Sequence, residues 1–516
     1  MQMKLSNFKN FHEFFSRQAE VFGDNACLTD GDRPGVFYSF KDLNSIATRV
    51  AVFLSTLGIK KGDRFAVVTR NSPEFMFLYL ASMKLGSLIM PLVVDFPPEG
   101  ILRQVRRFGI KAIFFSDESR LSVEEAHRLD PGVMPQGLDL SGLKDSIKDI
   151  SQETSLFDGV SLDDPGSFYF SSGTTGEPKG IPQSPRNLLA AAEALIGVYG
   201  FSPKDTQMGV LPCYHTALAT YGFWPSFWVG SNFVLFERFH KTDFWKNLAR
   251  HRASFVEVVP TILSMLLYPP EDISGYDLTG LKFIGSGSAP LSPALHHKFE
   301  DTFGIKVANQ YGLSEAAPTH FNPPERNLRK EGSIGKPMAN VEAKVVNEKG
   351  EELPDMEQGE IIMKGDSVVA GYYNDPEATN EAFRDGWFYT GDLGYRDSDR
   401  FYFLSGRKKE MIIRGGEKIY PNEVDNVLAT CAGIKESATV GVPDPFYGEE
   451  VVSYVVLTED NVASEKSIKK HCARFLPLYK CPKKIFFIDE VPKTASGKII
   501  RRKLLELYNQ NQSQKT

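Results

Sequence analysis

Ser171-Ser-Gly-Thr-Thr-Gly-Glu-Pro-Lys-Gly180 sets three glycines, four hydroxyl side chains and a lysine into ten residues, directly after the aromatic run Phe168-Tyr169-Phe170. Gly173 and Lys179 have the separation of the nucleotide loop GxxxxGK[ST], but the rest of that pattern fails. Pro178 stands where the glycine before the lysine belongs, and Gly180 stands where a Ser or Thr would hold magnesium. The stretch nonetheless suits phosphate: glycines let backbone N–H groups approach an anion, and Ser171, Ser172, Thr174 and Thr175 offer hydroxyl donors. Taken alone, a surface turn fits the same residues equally well. The neighbouring segments have to decide.

Working outward, Ser39 with Asp42 three residues on reads as a capped helix start, and Leu43, Ile46, Ala47, Val50, Ala51 and Leu54 keep helical spacing up to Gly58. RFAVVT (Arg64 to Thr69) predicts a buried strand, PEFMFLYLASMKLG a second helix, and SLIMPLVV the next strand. The alternation continues through Asn232 to Phe236, SFVEVVP and LKFIGSGSAPL, and predicts mostly parallel α/β sheet with helices on its faces. Near GEIIMKGDSVVAGYY the pattern changes, predicting a β-rich lobe between about 330 and 405. The basic, Gly-Gly-containing segment SGRKKEMIIRGGEKIYP (Ser405 to Pro421) precedes a compact α+β pattern. The domain boundary is therefore expected at Arg407 to Lys409, giving an N-terminal domain 1–407 and a C-terminal domain 408–516.

Composition removes several function classes. A chain of 516 residues exceeds what one hydrophobic core usually supports. Its formal charge of −6 offers no basic footprint for nucleic acid. Five scattered cysteines, Cys27, Cys213, Cys431, Cys472 and Cys481, form no CxxC pair and argue against a disulfide framework or a zinc site. With neither a signal-peptide pattern at the N-terminus nor an apolar run of spanning length, the expectation is a cytoplasmic protein without a membrane span.

Seven segments in chain order settle the loop: YFSSGTTGEPKG, LPCYH (211–215), GSGSAPL (285–291), NQYGLSE (309–315), GWFYTGDLG (386–394), GRKKEMIIRGGEKIYP (406–421) and PKTASGKIIRR (492–502). Together they resemble the adenylate-forming superfamily of acyl-CoA synthetases, luciferases and peptide-synthetase adenylation domains, over residues from about 30 to 505. The resemblance implies an α/β fold: a large multi-lobed N-terminal adenylation domain (two α/β sheets plus a β-rich lobe) and a small mobile α+β C-terminal domain. It also implies an AMP-forming reaction in two halves. A carboxylate attacks the α-phosphate of ATP and expels pyrophosphate; a thiol then attacks the acyl-adenylate. Both halves build negative charge, so cations, magnesium and N–H donors are what the chain must supply.

By the same resemblance, Ser171, Ser172, Gly173, Thr174, Thr175, Gly176 and Lys179 belong to the loop that holds the phosphates. Glu315 matches the magnesium-associated carboxylate, with Ser314 in a position usually held by Thr; hydroxyl beside carboxylate suits a hard cation. Gly287, Ser288 and Ala289 resemble one side of an adenine cleft. Tyr311, followed by Gly312, would stack on the base, with Asn309 at the base edge. Asp392 and Arg407 match ribose-binding residues, a carboxylate being able to accept from two hydroxyls. Lys498 corresponds to the adenylation lysine on a loop softened by Ser496 and Gly497. Lys409 matches the hinge about which the C-terminal domain rotates, bringing Gly415 and Gly416 to a pantetheine arm. His215 matches the residue that flanks the substrate carboxylate. The chain departs from the family pattern at Lys418, where Asn or Gln is common, and at Pro185, which replaces a histidine.

The pocket wall is expected to include Tyr214, Ala217, Leu218 and Tyr221, with Val258, Val259, Leu313 and Ala316 facing them. This apolar set with two tyrosines suggests an aliphatic or aromatic acid and leaves medium-chain fatty, aryl and carnitine-like acids open. In peptide-synthetase domains an Asp follows the fourth-motif aromatic to bind an amino group; here Thr216 occupies that place, and residues 212–224 hold no acid, which disfavours an amino acid substrate. No carrier domain follows Lys503, favouring coenzyme A as acceptor. Two alternatives stay open: a stand-alone acyl-AMP ligase that loads the phosphopantetheine of a separate carrier protein, and a non-catalytic nucleotide-binding homologue.

Overall fold

The computed structural model describes residues 5–170, 178–458, 463–494 and 497–513. Among these residues the strands assemble into four sheets. Two are parallel at their centres and carry the segments around residues 168–183, 285–291 and 309–315. In the six-stranded sheet, Gly137–Asp139, Ile110–Phe115, Arg64–Val68, Leu88–Leu92 and Ser167–Phe170 run parallel, and Gly180–Gln183 closes one edge antiparallel to Ser167–Phe170. The second sheet has nine strands, with Ala26–Asp30, Asn232–Leu235, Thr206–Gly209, Phe255–Val258, Phe283–Ser286 and Val307–Leu313 parallel at its centre. Helices cover these strands, so the strands read as apolar runs rather than alternating ones.

Local sequence explains the elements. Ser39 caps the helix Phe40–Thr56 by accepting from the Asp42 N–H, while the Asp42 side chain accepts from the Ser39 N–H. Leu57 ends that helix, and the predicted Gly58 follows it with φ 79°. The predicted second helix is Pro73–Leu85; it is buried all round and has no polar stripe. Its Tyr79 accepts a 3.1 Å hydrogen bond from Trp224 Nε1, inside a core that also holds Phe11, Phe15 and Phe227. Each such aromatic contributes about 1.5–3 kcal/mol by leaving water.

The change of pattern after residue 330 is a five-stranded sheet, in which Val341–Val346, Gly359–Gly365, Trp387–Arg396 and Tyr402–Arg407 pair antiparallel in sequence. The fourth sheet, beginning at Ile412–Arg414, is built on the long pair Ile434–Asp444 and Gly448–Leu457 and is packed by Pro421–Ala429, Glu465–Phe475 and Arg501–Ser513. Between the third and fourth sheets lies one short 3₁₀ turn, Lys408–Glu410. Lys408 Nζ lies 3.3 Å from Glu360 on the N-terminal side; Arg501 Nη1 lies 3.3 Å from Glu410 on the C-terminal side; Lys409 between them is exposed.

No described helix is long and apolar enough to cross a membrane. All five cysteines are free, and no group of three His, Cys, Asp or Glu that could hold a metal occurs among the described residues.

Candidate active site

The opening loop joins two paired strands. Ser167–Phe170 leads in, Gly180–Gln183 leads out, and Phe170 pairs with Gly180. Ser171, Ser172, Gly173, Thr174, Thr175 and Gly176 lie outside the described residues, as does Ser496 in the C-terminal loop. Lys179, at the loop's far end, places its ammonium 4.5 Å from the centre of the Tyr372 ring. The Tyr372 hydroxyl donates to Glu315 Oε1 at 3.0 Å. One tyrosine thus bridges the loop lysine and the acid of YGLSE.

Glu315 sits at the turn between Val307–Leu313 and Ala316–Asn322, only 8% exposed. Burial raises its carboxyl above the usual range, while the Tyr372 hydrogen bond and the charges of Arg407 and Lys498 pull it back. Gln183 connects this turn to the histidine segment: its Nε2 donates to Ser314 O at 2.9 Å and lies 3.0 Å from Thr216 Oγ1. His215 Nδ1 accepts from the Ala217 N–H at 3.2 Å, which leaves the proton of the neutral ring on Nε2. Burial, and then the charge of Lys498, push His215 down to about 4, so it is neutral at pH 7.

Asp392, 5% exposed, receives Arg407 Nε on Oδ1 at 2.7 Å and the Tyr311 hydroxyl on Oδ2 at 2.5 Å. Each carboxylate oxygen keeps a second lone pair for a ligand hydroxyl. Asp392 and Arg407 face each other across one antiparallel register, so the sheet itself sets this pair. Asn309 Nδ2 is committed to Ser333 O at 2.8 Å and holds that loop in place. The turn after Phe283–Ser286 contains Ser288 at φ 65°, a left-handed backbone that is uncommon for a residue with a Cβ.

Lys498 reaches this cluster from the C-terminal sheet. The loop docks against the start of Pro260–Leu267, where Thr261 Oγ1 donates to Gly497 O at 3.5 Å. A Cβ on Gly497, which has φ 79°, would lie 2.7 Å from Thr261 Oγ1 and 3.4 Å from Val259 Cγ2. Burial and the Arg407 charge lower Lys498 to about 8, with Asp392, Glu410 and Glu315 opposing. Lys498, His215, Glu315, Asp392 and Arg407 therefore share one electrostatic site.

Gly415 and Gly416 are elsewhere, at the tip of the hairpin Ile412–Arg414 and Glu417–Ile419, with φ 59° and 89°. Lys418 Nζ points toward Glu348 at 3.9 Å, and Arg414 pairs with Glu450 at 2.6 Å while stacking on Tyr447.

The expected acyl wall is less apolar than its sequence suggests. Ala217 and Leu218 are buried, and Tyr221 lies within a π-helical turn, Leu218–Phe223. A Cβ on Gly312 would be 2.9 Å from the Tyr221 hydroxyl, so Gly312 is where this ring approaches the nucleotide segment. Tyr214 is half-buried beside Cys213, and Pro185, the departure after the phosphate loop, is the first residue of the helix Pro185–Tyr199. Val258, Val259 and Ala316 are buried and Leu313 partly so. Beside them stands Glu257, an acid outside the motifs. Tyr372, Gln183, Thr261 and Glu257 are the residues that motif reading missed. A lone acid inside the apolar strand SFVEVVP was the one available signal for Glu257.

Comparison with known proteins identifies the family. Residues 15–373 match the AMP-binding enzyme family, and residues 423–498 match the AMP-binding enzyme C-terminal domain. A sulfoacetate–CoA ligase of Cupriavidus necator is 38% identical over 459 residues, which cover 87% of this chain and 88% of that protein. An oxalate–CoA ligase of Arabidopsis thaliana is 36% identical over 474 residues, covering 89% and 91%. The ATP-bound crystal structure of MatB from Rhodopseudomonas palustris has a TM-score of 0.88 at 29% identity, covering 97% of this chain and 99% of that one. On these grounds the chain belongs to the AMP-binding enzyme family, as an acid–thiol ligase of the acyl-CoA synthetase type.

Proposed function

We propose that this ligase condenses a small carboxylic acid with ATP at the Lys498–Glu315–Asp392 site and passes the acyl group to the thiol of coenzyme A. The observation that carries the reading is the convergence on one site of Lys498, from the C-terminal sheet, with His215, Glu315, Asp392 and Arg407 of the N-terminal part. In the first half-reaction a carboxylate oxygen of the acid bonds to the α-phosphorus, and the bond to the bridging oxygen of pyrophosphate breaks. The Lys498 ammonium neutralises charge on the entering carboxylate and the bridging oxygen. Asp392 accepts from the ribose hydroxyls and Arg407 holds Asp392 in register. Ser171 to Gly176 and Lys179 hold the β- and γ-phosphates, Tyr311 and Gly287 to Ala289 enclose the adenine, and neutral His215 flanks the acid without competing for its negative charge.

Glu315 fits a hard cation. It is a buried carboxylate that accepts from the neutral Tyr372 hydroxyl, and Ser314 stands beside it. Phosphate oxygens and water would complete the shell. Magnesium bound there supplies positive charge against the triphosphate.

In the second half-reaction the thiol sulfur attacks the acyl carbonyl and AMP leaves. Residues 408–516 rotate as a unit about Lys409, withdrawing Lys498 and presenting Gly415 and Gly416 to the pantetheine arm. The single 3₁₀ connection, held by Lys408 to one side and Glu410 to the other, supports that hinge. A carrier-protein phosphopantetheine could use the same path, and the cytoplasm is the expected compartment. Pyrophosphate release across a panel of acids, with and without coenzyme A, tests the reading. Coenzyme A should stimulate turnover and yield acyl-CoA, and Lys498→Ala should abolish adenylation. Turnover that answers to a carrier protein and not to coenzyme A would transfer the proposal to the loading reaction.

A further inference from the structure

The strand Phe255–Val258 carries Glu257 toward the helix Pro185–Tyr199 and the π-helical turn Leu218–Phe223. Glu257 is opposite Gly285 in register, Gly285 is opposite Ala308, and Gln310 follows two residues on, so Glu257 and Gln310 lie on one face of the sheet across a strand that has no side chain. Glu257 is 5% exposed. Its Oε2 accepts from Gln310 Nε2 at 2.7 Å and from the Tyr199 hydroxyl at 3.2 Å, both neutral donors. Its Oε1 and Gln310 Oε1 are buried without a hydrogen-bond partner. A Cβ on Gly287 would lie 3.4 Å from that Oε1. The orphaned oxygen therefore faces Gly287, the glycine expected to border the nucleotide cleft.

A buried carboxylate balanced only by neutral donors is costly: burial pushes Glu257 up to about 8, so the free enzyme holds it mostly protonated at pH 7, and a cation bound beside it would favour its ionised form. A purely apolar acyl chain would leave both orphaned oxygens unpaired. A second negative charge on the acid would push Glu257 further up and gain no compensating charge from Gln310 or Tyr199. A cation meets a carboxylate oxygen and an amide oxygen together.

We propose that Glu257 determines specificity and that the ligase's preferred acid carries a cationic nitrogen, an ammonium or quaternary ammonium group, which sits against Glu257 and Gln310. The site explains how an enzyme without the acidic residue of amino-acid-activating domains still accommodates a positive charge, remote from the reacting carboxylate rather than adjacent to it. Glu257 lies three residues before Pro260, on the order of 10 Å at about 3.3 Å per extended residue. Thr261, next in line, touches the Lys498 loop. Subtracting roughly 2–3 Å of side-chain reach at each end leaves about 4–6 Å, or about three to five bonds at about 1.25 Å each, between the cation and the carboxylate.

The inference rests on the ligase reading, and the test separates the two. The probes are 4-(trimethylammonio)butanoate, 4-aminobutanoate, the neutral isostere 5,5-dimethylhexanoate, and oxalate, each assayed for Lys498-dependent acyl-CoA formation. The cationic probes should exceed the isostere in kcat/KM by at least about tenfold. Glu257→Gln should reduce that ratio at least about tenfold, and Glu257→Asp, which keeps the charge, should restore most of the preference. Titration calorimetry of 4-(trimethylammonio)butanoate with the full-length wild type supplies a readout independent of turnover and of variant folding: it should bind at least about tenfold tighter than the isostere. Turnover of neutral or dianionic acids in preference to the cations, or an equal loss on all acids in Glu257→Gln, would overturn the assignment while leaving the ligase reading intact. Glu257-dependent binding without Lys498-dependent turnover would do the reverse. Failure of the wild type to bind the cationic probe more tightly than its isostere would overturn the assignment outright.

Discussion

Gly497 offers a quantitative test of the docked Lys498 loop. At φ 79° an alanine there meets the left-handed penalty of about 1–2 kcal/mol. Its Cβ would also stand 2.7 Å from Thr261 Oγ1 and 3.4 Å from Val259 Cγ2, and relieving such a contact in a packed interface costs about 1–3 kcal/mol. Taking the contact in the lower half of that range, about 1–2 kcal/mol, the sum of about 2–4 kcal/mol acts against the docked arrangement. At 1.4 kcal/mol per decade, adenylation in Gly497→Ala should fall roughly 30- to 700-fold. On the proposed rotation about Lys409, transfer from a preformed acyl-adenylate to coenzyme A proceeds with the lysine withdrawn and should fall far less. Pyrophosphate release and thioester formation from synthetic acyl-adenylate measure the two halves separately. Adding Thr261→Ala should remove most of the contact share and leave a loss of roughly 5- to 30-fold from the backbone alone. Equal losses in both half-reactions, or no recovery in the double variant, would refute the docking argument.

Three further outcomes are expected. Because the folded enzyme holds Lys498 near 8, below an ordinary lysine, its ammonium is present below that pH and lost above it; kcat/KM for ATP should decline as pH rises through about 8. In Lys498→Arg, whose charge does not titrate there, the residual rate should lack that decline. Tyr372→Phe removes the hydroxyl from buried Glu315 and should lower kcat/KM for ATP by about 10- to 100-fold, with the loss smaller at high magnesium; a loss independent of magnesium would assign Tyr372 to packing alone. Asp392→Asn breaks a charge pair that also anchors Tyr311, and should raise KM for ATP more than KM for the acid, as read by initial rates against each substrate.

Much of the fold was legible because short-range rules governed it. The Ser39–Asp42 capping box, the proline-started helix Pro73–Leu85 and the apolar strand Arg64–Val68 follow from neighbours in sequence. The change to antiparallel pairing after residue 330 was visible as a change of residue pattern. The π-helical turn at Leu218–Phe223 was not visible, since an extra residue per turn leaves no composition mark.

For the site, the motifs by themselves named the candidate residues: Lys498, Glu315, Asp392, Arg407 and His215 are set in segments whose order and composition point to the reaction class. Only the tertiary structure decided which groups hold them. Tyr372 reaches Glu315 across 57 residues, Gln183 reaches Ser314 across 131, and Thr261 reaches the Gly497 loop across 236. The same is true of Glu257: in sequence it is one acid in an apolar strand, and its meaning appears only when Gly285 leaves room for Gln310 and Tyr199 to meet it. Electrostatics and hydrogen bonding act over a few ångströms whatever the separation along the chain. A sequence can therefore announce charged groups, while their partners, burial and resulting preference for a ligand are set by the fold.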